Sequence, residues 1–344
     1  MKKKKAQKRR SSVTLILAII IALIVAGGII AYIYSMKSYN GKEQWVYIPD
    51  NSTEQAVKDS LTTRLGDSGK RIFTMWKAMD GKTTAAHGAY RIKPGDKEYD
   101  IVQRLRYGQQ TPVKVVFNNI RTIDQLAEKI AARLEFNADD FVAACDSVLP
   151  AMGFKKAHYP AAFFPDSYEF YWTNKPSRVI ERLCDYRNHF WNDERRAKAR
   201  SMGLTPVDVA TIASIVEEET AKSDERPKVA RLYINRVDRN MPLQADPTVK
   251  FAVGDFSLRR ITNKHLKVES PYNTYLHAGL PPGPIRIAAK STLEAVLNAP
   301  QHNYLYMCAK EDFSGEHNFA TTLSAHNANA RKYREALNKL RIKK

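Results

Sequence analysis

Three adjacent glutamates, Glu217, Glu218 and Glu219, close the run TPVDVATIASIVEEE that begins at Thr205. A carboxyl can give a proton to a leaving oxygen and later take one back, provided its pKa is lifted towards neutrality. Which of the three can do so depends on where each points. Thr205 as N-cap, Pro206 at the first helical position and Asp208 three residues past the cap predict a helix start. At about 100° per residue, with Val216 at 0°, Val209, Ile212 and Ala213 gather into one apolar stripe. Glu219 falls at its edge near −60°, Glu217 on the flank near +100°, and Glu218 faces away near 200°, all about. Glu219 alone is therefore expected on the buried face, where lost hydration raises a carboxyl's pKa. Glu218 is expected to stay ionised and solvated, and Glu217 to orient a neighbour or lie at the surface. A glutamate run is also the ordinary make-up of a solvated helix end, so spacing alone makes Glu219 only a candidate.

Two loops supply further polar groups. LQADPTVKFAVG, residues 243–254, offers Gln244 and Asp246. SPYNTYLHAGLPPGPIRIA, residues 270–288, carries Tyr272, Asn273 and Tyr275 among prolines and glycines. Such a stretch cannot be an ordinary helix or a central strand, and it suits one wall of a carbohydrate cleft. HNFATTLSAHN, residues 317–327, ends in His326 and Asn327. The histidines have no metal-ligand spacing with a carboxylate pair, and neither a Gly-x-Ser-x-Gly elbow nor a phosphate-binding glycine loop occurs. No metal and no cofactor is expected.

The elements that must hold these groups read as α+β. Residues 45–61, 89–105 and 113–130 each show a short alternating apolar run, a turn, then an amphipathic helix. Ser52, Asp96 and Thr122 occupy the N-cap positions, with Gln55 and Gln125 at capping-box spacing after the first and third. Tyr90-x-Ile92-x-Pro94-Gly95-Asp96 resembles the opening of LysM modules, which implies a small glycan-binding unit over 43–115; an ordinary strand and turn is the competing reading. From about 137 the chain turns helical. FFPDSYEFYW, 163–172, is either core or a sugar-stacking wall, and the basic stretch from Leu323 is a helix with a solvated charged face.

The formal net charge is +19, and seven of those charges lie among the first ten residues. Val13 to Tyr34 then runs without a charged side chain, and as a helix of about 33 Å it would cross a hydrocarbon core of about 30 Å. The run is long for a signal peptide, and Tyr32 and Tyr34 suit a membrane interface. A basic tail over 1–12, a single transmembrane helix over 13–34 and a catalytic domain over 116–344 follow, with the N-terminus cytoplasmic and the domains outside the plasma membrane. A protein so placed meets no nucleic acid, and its remaining surplus of about +12 suits an anionic wall polymer. Cys145, Cys184 and Cys308 form no C-x-x-C pair and read as small buried hydrophobes.

Taken together, Ala213 to Thr220, Ile234-Asn235-Arg236, Leu243 to Val249, Tyr272 to Tyr275, Gly279 to Ile285 and Ser324 to Asn327 resemble the endolytic murein transglycosylase (YceG-like) family. The resemblance covers roughly residues 85–335. It implies that Glu219, at the second acidic position of the family's Glu-x-Glu pattern, is the single catalytic acid and base. It further implies cleavage between N-acetylmuramic acid and N-acetylglucosamine inside nascent peptidoglycan strands, leaving a 1,6-anhydro end, alongside cell-wall synthases as partners. Gln244, Asp246, Tyr272, Asn273, Tyr275, His326 and Asn327 are then expected to bind substrate, with Glu217 and Asn235 in support. The family's Leu-Glu-Gly before its aromatic Pro-Asp-Thr-Tyr segment is missing from Tyr159 to Tyr168. A muramidase using Asp246 or Glu217 as second carboxylate, and a non-catalytic glycan-binding scaffold, are the competing readings.

Overall fold

The computed structural model describes residues 15–28, Tyr32, 36–258 and 260–340. Residues 15–28 form helix α1 with exposed side chains. Among the described residues no helix is long and apolar enough to cross a membrane. The basic tail over 1–12 and residues 13, 14, 29–31, 33 and 34 of the expected span lie outside the described residues.

The rest divides into two compact units, one running up to Val113 and including Glu169–Thr173, the other comprising Lys114–Tyr168 and Asn174 onward. The sequence boundary at 115 lies close to the first division, but the excursion at 169–173 carried no compositional mark.

In the first unit, β1 (Gln44–Ile48) is followed by α2 (Glu54–Leu65), α3 (Asp67–Ala78), a short α4 (Thr83–Ala86), β2 (Gly88–Ile92) and α5 (Glu98–Arg106). β1 and β2 pair antiparallel with Val46 opposite Tyr90. Their alternation turns Val46, Ile48, Tyr90 and Ile92 inward onto Val57, Leu61, Ile72 and Trp76, which builds the unit's core. Thr53, not Ser52, caps α2 by accepting the Ala56 N–H at 3.2 Å. Asp96 likewise does not cap α5. It closes the preceding turn, accepting the Lys93 N–H at 3.0 Å and binding Arg104 at 2.8 Å. Thr122 caps its helix as expected, accepting the Gln125 N–H at 3.2 Å.

The second unit is mainly helical. After β3 (Val113–Phe117) come α6 (Ile123–Ala131) and α7 (Ala138–Ala151), then a 3-10 helix over Lys156–Ala162 and β4 (Asp166–Phe170), which pairs with β3. α8 (Pro176–Phe190), α9 (Asp193–Ser201), α10 (Pro206–Glu219), α11 (Arg226–Asp238), α12 (Asp246–Val253) and α13 (Lys290–Leu297) follow. The antiparallel hairpin β5 (Tyr306–Ala309) and β6 (His317–Ala320) and the last helix, α14 (Leu323–Lys339), complete it. Phe163, Phe164, Tyr168 and Phe170 are buried, so most of the aromatic segment is core. No disulfide joins the cysteines; Cys145 and Cys184 are buried, and desolvation pushes both thiols up to about 12.

α10 is the axis of this unit. A capping box starts it: Thr205 Oγ1 accepts the Asp208 N–H at 3.2 Å while Asp208 accepts the Thr205 N–H at 2.8 Å. Every residue from Val209 to Val216 is buried, so neighbours enclose the helix on all sides. The single stripe read from the wheel is therefore too narrow. Val209, Ile212, Ile215 and Val216 contribute roughly 2 kcal/mol each by burial.

Backbone N–H groups of the Pro/Gly loop tie it to α10 and to the segment before α6. The Ile285 N–H donates to Ser214 Oγ at 3.0 Å, and the Ile287 N–H donates to the Ile120 carbonyl at 2.8 Å. A Cβ on Gly283 would stand 1.9 Å from the Ala157 carbonyl oxygen, so only glycine lets the two backbones pass. Gly283→Ala must push the loop off this contact. It is expected to destabilise the protein by about 2 kcal/mol or more, read as a lower midpoint in urea unfolding.

Candidate active site

The three glutamates at the end of α10 meet three different fates, though not those of the wheel. Glu217 turns to the start of α13: its Oε2 accepts the Ala289 N–H at 2.9 Å and the Thr292 hydroxyl at 2.7 Å. Its Oε1 lies 3.2 Å from the Arg286 guanidinium. Glu218 is not solvated. Arg121 donates to both its oxygens, at 2.8 and 3.0 Å, and Arg286 donates to Oε1 at 2.7 Å. The correction has a plain cause: α10 is packed on all sides over Val209–Val216, so a glutamate just beyond it that faces away from one stripe meets another wall and its arginines. Two arginines and two carboxylates thus neutralise one another, and Arg121 also lies over the Phe256 ring at 5.3 Å.

Glu219 gets neither arginine. Its Oε2 is out of contact with solvent and has no hydrogen-bond partner. It also stands at a helix C-terminus, where the backbone dipole disfavours a negative charge. Burial pushes its pKa from 4.5 to about 7; Asp246 adds to the rise, while His317 and a hydrogen bond with Tyr233 oppose it. Tyr233, on α11, is itself buried and raised well above its ordinary value by the same desolvation and by the nearby carboxyl. The result is a carboxyl that holds a proton near neutral pH beside a fixed phenol.

Glu219 opens on a cleft of about 630 Å³, lined also by Glu218, Asp246, Pro247, Lys250, Leu258, Arg260 and Ile261. Asp246 sits at the start of α12 and accepts the Tyr275 hydroxyl at 2.7 Å, which brings Tyr275 to the same edge. Gln244 lies just before Asp246 with a φ of 50°, its Oε1 accepting from Arg236 at 3.2 Å.

Asn273, Tyr272, Asn235 and His326 make hydrogen bonds or ring contacts within this unit. Asn273 is fully buried; its amide donates to the Leu266 and Val268 carbonyls at 3.0 and 2.9 Å, and its oxygen accepts the Tyr275 N–H at 3.1 Å. Tyr272 packs on Phe251 with ring centroids 4.7 Å apart. Asn235 donates to the His302 and Tyr304 carbonyls at 2.7 and 3.1 Å, which fixes the approach to β5 and fits a supporting role. His326 stacks on Tyr306, and burial together with Arg236 lowers its pKa. Asn327 is exposed on α14. Neither His326 nor Asn327 lines the cleft. Among the described residues no group of three metal-ligating side chains comes together.

Sequence reasoning missed Tyr233, Arg121, Arg286 and His317. Tyr233 directly precedes the Ile234-Asn235-Arg236 motif, Arg286 directly follows the Gly279–Ile285 motif and His317 opens the 317–327 segment, but Arg121 left no mark of this kind.

Residues 46–332 match the model of the YceG-like family. The chain belongs to this family. It is 28% identical over 308 residues to the endolytic murein transglycosylase of Bacillus subtilis (strain 168), covering 84% of each chain. To the endolytic murein transglycosylase of Streptococcus pneumoniae serotype 2 it is 26% identical over 325 residues, covering 83% of this chain but 58% of that one. The solved structure of a yceG-like protein from Listeria monocytogenes superposes with a TM-score of 0.57 at 27% identity, covering 83% of this chain and 98% of that one. The YceG-like fold is thus the mixed, mainly helical one described above.

Two predictions follow from the arrangement in this YceG-like protein. Because Glu219's folded pKa of about 7 exceeds its ordinary 4.5, its contribution to stability is full below about 4.5 and is lost as pH rises through about 7. Glu219→Gln removes that loss, on the order of 1–3 kcal/mol. The melting temperature of the variant should therefore rise relative to the native chain between about pH 5 and pH 8. Arg286→Gln leaves Glu218 with Arg121 alone and Glu217 with no arginine. In urea it should destabilise by about 3 kcal/mol, with part recovered when Glu217→Gln and Glu218→Gln are added.

Proposed function

We propose that this protein is an endolytic murein transglycosylase, a lytic enzyme that cuts peptidoglycan glycan strands with Glu219 as its acid and base. The observation that carries the reading is Glu219 itself: a carboxyl raised to about 7, facing a cleft, beside two glutamates already neutralised by arginine. The protonated acid gives its proton to the glycosidic oxygen as the bond to C1 breaks. The 6-hydroxyl of the same muramic residue then closes on C1, and its proton returns to Glu219. No water is consumed, so one carboxyl suffices where most glycoside hydrolases use two.

Asp246 shares the cleft and is the residue a muramidase mechanism would require. Its bond to Tyr275 suits a positioning role at the cleft edge. Gln244 and Tyr275 are the remaining members of the expected binding set that adjoin this edge.

The same reading places residues 13–34 across the plasma membrane as a single span, with the basic tail in the cytoplasm and both units outside, near nascent strands and the synthases that make them. The charge-free run of Val13 to Tyr34 after a basic cluster supports it. The strand–helices–strand order of the first unit, with its two antiparallel strands, supports a LysM-like spacer there.

The test uses the full chain in mild detergent with purified glycan strands and mass spectrometry of the products. Ends about 18 mass units lighter than hydrolytic ones are expected, and Glu219→Gln should abolish them. Reducing ends would make the protein a hydrolase and turn attention to Asp246. Cleavage that survives Glu219→Gln would remove the assignment.

A further inference from the structure

Two cations share the cleft of Glu219 and are left out of the network that neutralises its neighbours. Lys250 lies in the last turn of α12 and Arg260 in the loop after that helix, and both line the cleft of about 630 Å³. Among the described residues neither forms an ion pair.

This is not for want of carboxylates. Asp246 precedes Lys250 by four residues on α12, a spacing at which opposite charges on a helix meet. Asp246 accepts the Tyr275 hydroxyl at 2.7 Å instead. Glu218 is held by Arg121 and Arg286, and Glu219 carries its proton near neutral pH. Asp255, in the same loop as Arg260, is exposed and accepts from Ser257 at 2.6 and 2.9 Å; Lys250 acts on it only at longer range. Each carboxyl lining the cleft is therefore engaged or uncharged, and two positive charges remain for whatever enters.

The glycan backbone has no charge to offer them. Its muramic residues do, through the 3-O-lactyl group to which a short stem peptide is joined. Carbon 3 is two ring carbons from C1, where the bond is cut, so an acid in reach of the glycosidic oxygen has that substituent beside it. The lactyl carboxyl is taken up in the amide bond, which leaves the peptide's own carboxylates as the anions. A cut inside a strand also calls for a group that recurs at each muramic residue, as the peptide does and a terminal phosphate does not. Leu258 and Ile261 supply apolar surface for the lactyl methyl in the same cleft.

We propose, resting on the reading of Glu219 as the acid, that Lys250 and Arg260 form an anion subsite that holds a carboxylate of the stem peptide. The subsite makes the enzyme selective for peptide-bearing muramic residues. The guanidinium matches a carboxylate with two parallel N–H groups, and the ammonium adds a point charge. Docking breaks no existing ion pair. The two cations bind and orient the strand and move no proton.

The experiment uses the full chain in detergent and peptide-bearing glycan strands, with the peptide carboxylates either free or converted to amides. The native protein is compared with Lys250→Gln and Arg260→Gln, with Glu219→Gln as reference. On free-carboxylate strands each variant should raise KM about three- to tenfold, with kcat within about twofold. Amidation should raise the native KM by a similar factor and bring native and variants together. Equilibrium binding to Glu219→Gln, alone and combined with each substitution, makes the same comparison without turnover, and Kd should follow KM. Arg260 is exposed and Lys250 half-buried, so both variants should fold, which their melting temperatures check. Native-like KM and Kd in the variants, or an equal loss on both kinds of strand, would overturn the subsite while an inactive Glu219→Gln left the acid in place. Strands stripped of peptide bear a free lactyl carboxylate. Full dependence on Lys250 and Arg260 with those strands would overturn the peptide as the ligand. Cleavage by Glu219→Gln would instead remove the assignment beneath.

Discussion

Everything at the end of α10 depends on how two arginines are shared among three glutamates. Arg286 reaches Glu217 and Glu218, Arg121 reaches Glu218, and neither reaches Glu219. Had one guanidinium lain against Glu219, its carboxyl would be held ionised and could not act as an acid near neutral pH. The pairing also explains how α10 can end in three carboxylates inside a packed domain. Two buried charges are compensated and hydrogen-bonded, and the third escapes the cost of burial by keeping its proton.

The same contacts tie the site to the fold. Glu217 accepts the Ala289 N–H at the N-cap of α13, so a residue two before Glu219 also anchors the end of the Pro/Gly loop. Ser214, one turn earlier, takes the Ile285 N–H of that loop. Arg286, between these two attachments, is thereby delivered to the glutamates by backbone geometry. A loop rich in proline and glycine suits this task because it gives its few free N–H groups to α10 instead of to a sheet.

Much of this was legible in the sequence. The capping signals at Thr205 and Thr122, the three strand–helix units and the helical second half all follow from short-range rules, and the structure contains them. Glu219 was also reached from the wheel, but by an incomplete argument, since burial is shared by all three glutamates and only partners separate them. Those partners are out of reach of pattern reading: Arg121 lies 97 residues from Glu218, and Arg286 lies 68. Asn273 was over-read for a related reason. Asn273 has the composition of a sugar ligand, yet its amide is committed to the Leu266 and Val268 carbonyls within its own loop.

The central claim is that Glu219 carries its proton near neutral pH because its neighbours are paired and it is not. It is tested most directly by titrating the glutamate side-chain carboxyl carbons by NMR and assigning Glu219 by its loss in Glu219→Gln. The account predicts one carboxyl titrating at about 7 that vanishes in the variant. A Glu219 signal that titrates at its ordinary 4.5 would contradict it.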